Sequence, residues 1–127
     1  MESTLRKTGR YLFAIPFAIF GLFHFMNAGD MAGMVPLPGG VFWVYLTGLA
    51  LVAAAVSFAI EKKVRLAGIL LGIMLLIFVL SIHLPGVIGA DDPQSMQMSM
   101  TSVLKDLIMA GGAFYIGSTY SADDTLA

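Results

Sequence analysis

Long apolar runs separated by short polar breaks make up nearly the whole chain. They predict helices over residues 9–27, 41–60, 66–84 and 103–120. Each run is close to the ~20 residues that a helix needs to cross ~30 Å of hydrocarbon. The second run carries no charge, and the fourth holds Lys105 and Asp106 in its first turns. None of the runs alternates with period two, as the strands of an outer-membrane barrel would. The pattern predicts an all-α membrane protein: a four-transmembrane-helix bundle, with residues 1–127 as a single membrane domain.

The polar breaks predict an orientation. Arg6, Lys7 and Arg10 stand ahead of the first run, and Lys62, Lys63 and Arg65 fill the link between the second and third. The other two links carry Asp30 and the pair Asp91 and Asp92. The positive-inside rule then places the N and C termini and the middle link in the cytoplasm, in a multi-pass plasma (inner) membrane protein. Trp43 and Tyr45 fall at the outer interface and Tyr11 at the inner one. A basic start before an apolar run also fits a signal peptide. Pro16, the many phenylalanines and the lack of a small-residue cleavage site argue against that reading.

Composition removes several classes of function. The 127 residues are 58% hydrophobic and 12% charged, and mean hydropathy is +0.89. A soluble domain of this length needs more polar surface. A net charge of −1 offers no basic patch for nucleic acid. With no cysteine, thiol relays, thiolate metal sites and iron–sulfur clusters are excluded.

The topology brings His24, His83, Lys105 and Asp106 to one membrane surface. Ionisable groups are expensive in lipid, so such a cluster is a functional hypothesis by default. From Asp106, helical steps reach Ala110, Ala113 and Gly117, a stripe of small residues that turns the carboxylate into the bundle. Lys105 lies about 100° away and is expected to snorkel to the headgroups. His24 shares a face with Phe17, Phe20 and Gly21, and His83 with Val79, Leu76 and Gly72. A carboxylate beside an imidazole holds its tautomer and favours its protonation. In this reading His24, His83 and Asp106 exchange protons, and Lys105 attracts anions. Phe17, Phe20 and Trp43 line a pocket for a flat, apolar ligand that hydrogen-bonds at both ends, of which a quinone head group is one. The other reading is structural: Asp106 and Lys105 form an interfacial ion pair, and the histidines bond backbone carbonyls.

Two metal readings stand beside these, although no metal ligand set is assigned. His24 and His83 resemble a bis-histidine haem pair, with Gly21 making room on the first helix but Gly72 too deep on the third. Met96, Met98 and Met100 offer thioethers to copper(I), provided an extended backbone puts them on one face. Otherwise they belong to a loop dipping into the interface. Pro16 is expected to kink the first helix. Gly48, Ala55 and Ala59 read as close-packing positions, within the bundle or in a homodimer.

Several segments carry a family resemblance when taken together. They are Gly21-Leu22-Phe23-His24-Phe25, Phe42-Trp43-Val44-Tyr45-Leu46-Thr47-Gly48, His83-Leu84-Pro85-Gly86 and Leu104-Lys105-Asp106-Leu107, with Ala110-Gly111-Gly112-Ala113 after them. In order and spacing the chain resembles the DoxX-like family of small four-helix membrane proteins over nearly its whole length. The resemblance implies a bundle in a bacterial or archaeal plasma membrane. It also implies work as a membrane subunit of an oxidoreductase system, with a partner subunit and a quinone, or as a non-catalytic scaffold or assembly factor. The family's recurrent polar residues fall on His24, His83, Lys105 and Asp106.

Overall fold

The computed structural model describes residues 3–33 and 38–120, which are all-helical with no strand among them. Helix α1 spans Thr4–Met26, α2 Ala28–Ala32 and α3 Gly40–Ile60. Helix α4 spans Val64–Phe78 and passes through a π turn, Val79–His83, into α5, Leu84–Ile88. Helix α6 spans Pro93–Ser118. Three stretches are long and apolar enough to cross a membrane: α1, α3 and the continuous run Val64–Ile88. Helix α6 has the length, but its first half is polar. The expected link around residues 34–37 and the C-terminal stretch 121–127 lie outside the described residues.

Two helix boundaries differ from the sequence expectation, and local chemistry explains both. Helix α1 starts at Thr4, so Arg6, Lys7 and Arg10 lie within the helix and not ahead of it. Ser3 caps it by accepting from the Arg6 amide at 3.1 Å. Helix α6 starts at Pro93, ten residues before the apolar run. Asp92 is its N-cap, accepting from the Ser95 amide at 2.8 Å, and proline suits the first helical positions because its missing N–H would be unpaired there anyway. Met96, Met98 and Met100 are therefore helical, and all three are exposed. Side chains two residues apart on a helix point about 200° apart. The helix thus denies the three thioethers the shared face that an extended backbone would give them.

The Asp92 cap makes α6 sensitive to acid at its start. The Ser95 backbone and side-chain hydrogen bonds hold the Asp92 carboxyl below its ordinary value of 3.8. A depressed folded-state pKa means that the cap contributes fully above that ordinary value and is lost as pH falls through the lower, folded one. Hydrogen exchange should show the Ser95 amide losing protection over that acidic window, and Asp92→Ala should abolish the protection at neutral pH. A Ser95 amide equally protected in the variant would mean that the carboxylate does not hold the helix start.

The helices pair antiparallel through glycine contacts. A Cβ on Gly21 would lie 2.8 Å from the Gly48 carbonyl, and one on Gly68 would lie 2.5 Å from the Ala113 carbonyl. Only glycine allows such approach of α1 to α3 and of α4 to α6. The Phe114 ring occupies the space over Gly72. The stripe Asp106, Ala110, Ala113 and Gly117 is buried, as its spacing predicts. Phe13 closes the seam between α1 and α6, packing over Gly112 and standing 4.9 Å from Phe17 and 5.7 Å from Phe58, centroid to centroid. Helix α1 runs unbroken through Pro16.

One end of the bundle is tied by polar contacts. Arg10 is only 4% exposed; its Nη1 donates to the Phe58 carbonyl at 2.6 Å and the Ala59 carbonyl at 3.0 Å. Its Nη2 stands 3.5 Å from Glu61 Oε1, and the Tyr120 hydroxyl donates to Glu61 Oε2 at 2.8 Å. Glu61 and Lys63 both hold positive φ, 58° and 60°, in the tight turn between α3 and α4. Such backbone costs non-glycine residues roughly 1–2 kcal/mol each. The bonds to Glu61 offset that cost. Tyr11, expected at the inner interface, lies at this end, its hydroxyl 3.4 Å from the Ala59 carbonyl.

Candidate functional site

The opposite end of the bundle is open inside. A cavity of about 730 Å³ lies between α1, α3, α4 and α6. Phe17 and Phe20 line it from α1, Trp43 from α3, and Leu75 and Phe78 from α4. His24, His83, Lys105 and Asp106 line the same space. All seven residues singled out from sequence thus face one space. Thr47, Ser81 and Met31 line it too, and no sequence pattern marks them. Thr47 and Ser81 add two small hydroxyls to the lining. Met31 belongs to α2, which caps the cavity from the link side.

The polar groups are arranged specifically. Asp106, 5% exposed, holds its Oδ2 at 3.1 Å from His83 Nε2. The close partner of the carboxylate is therefore the imidazole of α4's continuation and not Lys105. Lys105 extends over the Phe20 ring, its Nζ 5.8 Å from the centroid, so the expected Lys105–Asp106 ion pair gives way to a cation–π contact at the cavity. His24 turns back on its own helix: its Nδ1 donates to the Phe20 carbonyl at 2.7 Å. A carbonyl only accepts, so this bond fixes the hydrogen on Nδ1.

The π turn explains how His83 reaches this cavity. It spreads one helical turn over an extra residue, which rotates the downstream residues by up to about 100° relative to an α-helix. Val79 stays buried against the bundle, while Ser81, Ile82 and His83 all line the cavity. Ser81 supports the turn by donating to the Ile77 carbonyl at 2.7 Å. Pro85, two residues on, sits in the first turn of α5, where it removes no needed donor.

The cavity also reaches the flank of the bundle. Leu46 and Trp43 on α3 and Ile77 on α4 line it and are exposed on the outside. A second groove of about 230 Å³ runs between α3 and α4 and shares Ala50 and Met74 with the cavity. Its walls are Ala53, Ala54, Ala67 and Leu70, and it continues as far as Lys63. Trp43 lines the cavity, and its indole donates to the Pro38 carbonyl at 2.8 Å. Tyr45 stacks on Phe25 with centroids 5.9 Å apart.

Among the described residues, no group of three or more histidine, aspartate or glutamate side chains is placed to hold a metal ion. His24 and His83 each keep one ring nitrogen uncommitted. No protein-family profile, curated protein or solved structure matches the chain.

Proposed function

We propose that the chain is a four-span, DoxX-like protein of a bacterial-type plasma membrane, with both termini cytoplasmic. It serves as a membrane subunit of an oxidoreductase system and binds a quinone-like head group near the outer leaflet. The observation that carries this reading is the His83–Asp106 pair standing with His24 on the wall of one large apolar cavity. An aromatic head group fits between Phe20, Phe78 and Trp43, and a hydrocarbon tail has a way out along the groove between α3 and α4. His24 and His83 exchange protons with the head group, Asp106 orients His83, and Lys105 draws anionic groups to the mouth. The redox cofactor belongs to a partner subunit. In this reading α6 is the fourth span, its polar first half packing on α5 and its buried stripe facing α4.

Mass spectrometry of small molecules extracted from the purified protein tests the proposal directly. A quinone or quinol at near-stoichiometric level, absent from a mock preparation, is the expected result. Its absence, together with no binding of added short-tailed quinones or quinols, would sink the reading. The absorption spectrum and metal content of the same sample separate the haem and metal alternative, which requires a Soret band or a stoichiometric ion on the two histidines. A second reading, a non-catalytic scaffold, draws on the burial of Asp106 within the stripe that packs α6 on α4.

A further inference from the structure

We infer that the site selects the reduced, dihydroxy form of its aromatic ligand, a hydroquinone-class ring in preference to the quinone. This deepens the small-molecule reading above and rests on it. The selectivity lies in the hydrogen-bonding atoms left over on the cavity wall. His24 spends its Nδ1 hydrogen on the Phe20 carbonyl, so its Nε2 carries only a lone pair. His83 directs Nε2 at the Asp106 carboxylate, so in the neutral ring its Nδ1 carries only a lone pair. Neither of these two remaining nitrogens has a partner in the protein, and neither is buried without one, so both are accessible. Ser81 has already donated its hydroxyl hydrogen to Ile77 and likewise presents an oxygen that accepts.

The two imidazoles stand on α1 and on the continuation of α4. Helix α1 packs on α3 and reaches α6 through Phe13 over Gly112, whereas α4 packs on both α3 and α6, so the two imidazoles stand on helices that do not pack on each other. A ring with hydroxyls at opposite ends can donate to both. A quinone offers only carbonyl oxygens, which accept, and would set lone pair against lone pair at His24 and, while its ring is neutral, at His83. The donors available to a quinone are the Lys105 ammonium, held against Phe20, and the Thr47 hydroxyl, which can turn either way. A site built to accept from a ligand hydroxyl discriminates strongly against the analogue that lacks it.

Calorimetric titration of the full chain in lipid nanodiscs, under nitrogen, tests this with three ligands sharing one decyl tail. They are decylhydroquinone, decylbenzoquinone and the dimethyl ether of the hydroquinone. The hydroquinone is expected to bind at least about tenfold more tightly than either of the others, one hydrogen bond's worth of preference or more. His24→Leu removes one acceptor and is expected to reduce that preference to about threefold or less. Equal or tighter binding of the quinone overturns the inference and leaves the small-molecule reading standing. So does equal binding of the dimethyl ether, which would reduce recognition to ring and tail burial. Binding of none of the three overturns both. The comparison of ligands on the unaltered protein stands whether or not the variant folds.

Discussion

Arg10→Ala is expected to lower the unfolding free energy by about 3 kcal/mol, the cost of stripping the partner from buried, charge-assisted hydrogen bonds. The last four carbonyls of any α-helix lack partners within it. In α3 two of these are Phe58 and Ala59, and Arg10 reaches them from α1. A guanidinium also complements the negative end of the helix dipole. The same side chain approaches Glu61, which holds a positive-φ turn and receives the Tyr120 hydroxyl. Removing it unties α1, α3 and the end of α6 together. Arg10→Lys should restore less than half of the loss, because one ammonium cannot reproduce the fork that bonds two carbonyls and faces a carboxylate. Thermal or denaturant unfolding in micelles measures both variants. A loss under about 1 kcal/mol for Arg10→Ala would show that water and Tyr11 satisfy those carbonyls unaided.

Arg10 is also where the sequence misleads. A cation just ahead of an apolar run reads as a flanking, cytoplasmic charge. Its partners lie 48 and 49 residues away, and no local pattern announces them. The apolar runs and the small-residue stripe below Asp106 are legible because both are periodic, and periodicity is a local property. The gathering of His24, His83 and Asp106 at one end follows from helix parity alone. Which imidazole Asp106 takes does not follow, because the choice rests on the π turn. Val79–His83 contains no proline or glycine, and its composition is that of ordinary helix. The start of α6 is hidden for a different reason. Pro93 looks like a loop residue until Asp92 is seen capping the helix that it opens. The size of the cavity depends on how α3 and α4 diverge, which is a property of the packed bundle and of no single segment.

Asp106→Asn is expected to leave the fold within about 1 kcal/mol of the parent while weakening decylhydroquinone binding about tenfold. The amide is isosteric and can still accept from His83 Nε2, so the buried contact between α6 and the π turn survives. What changes is the tautomer. A carboxylate only accepts, which keeps the His83 hydrogen on Nε2 and the lone pair on Nδ1. An amide can equally donate, which allows the hydrogen to move to Nδ1 and removes the acceptor that the ligand uses. Asp106→Leu separates the two roles from the other side. It leaves the His83 Nε2 hydrogen without a partner in a site 20% exposed, so stability should fall by about 1–3 kcal/mol as well as affinity. Unfolding and calorimetric titration on the same two proteins measure both effects. A stability loss in both variants with an unchanged dissociation constant would assign Asp106 to helix packing, and with it favour the scaffold over the ligand site. Loss of binding in Asp106→Asn at preserved stability would assign the carboxylate to the ligand site, directly from the cavity wall or through His83.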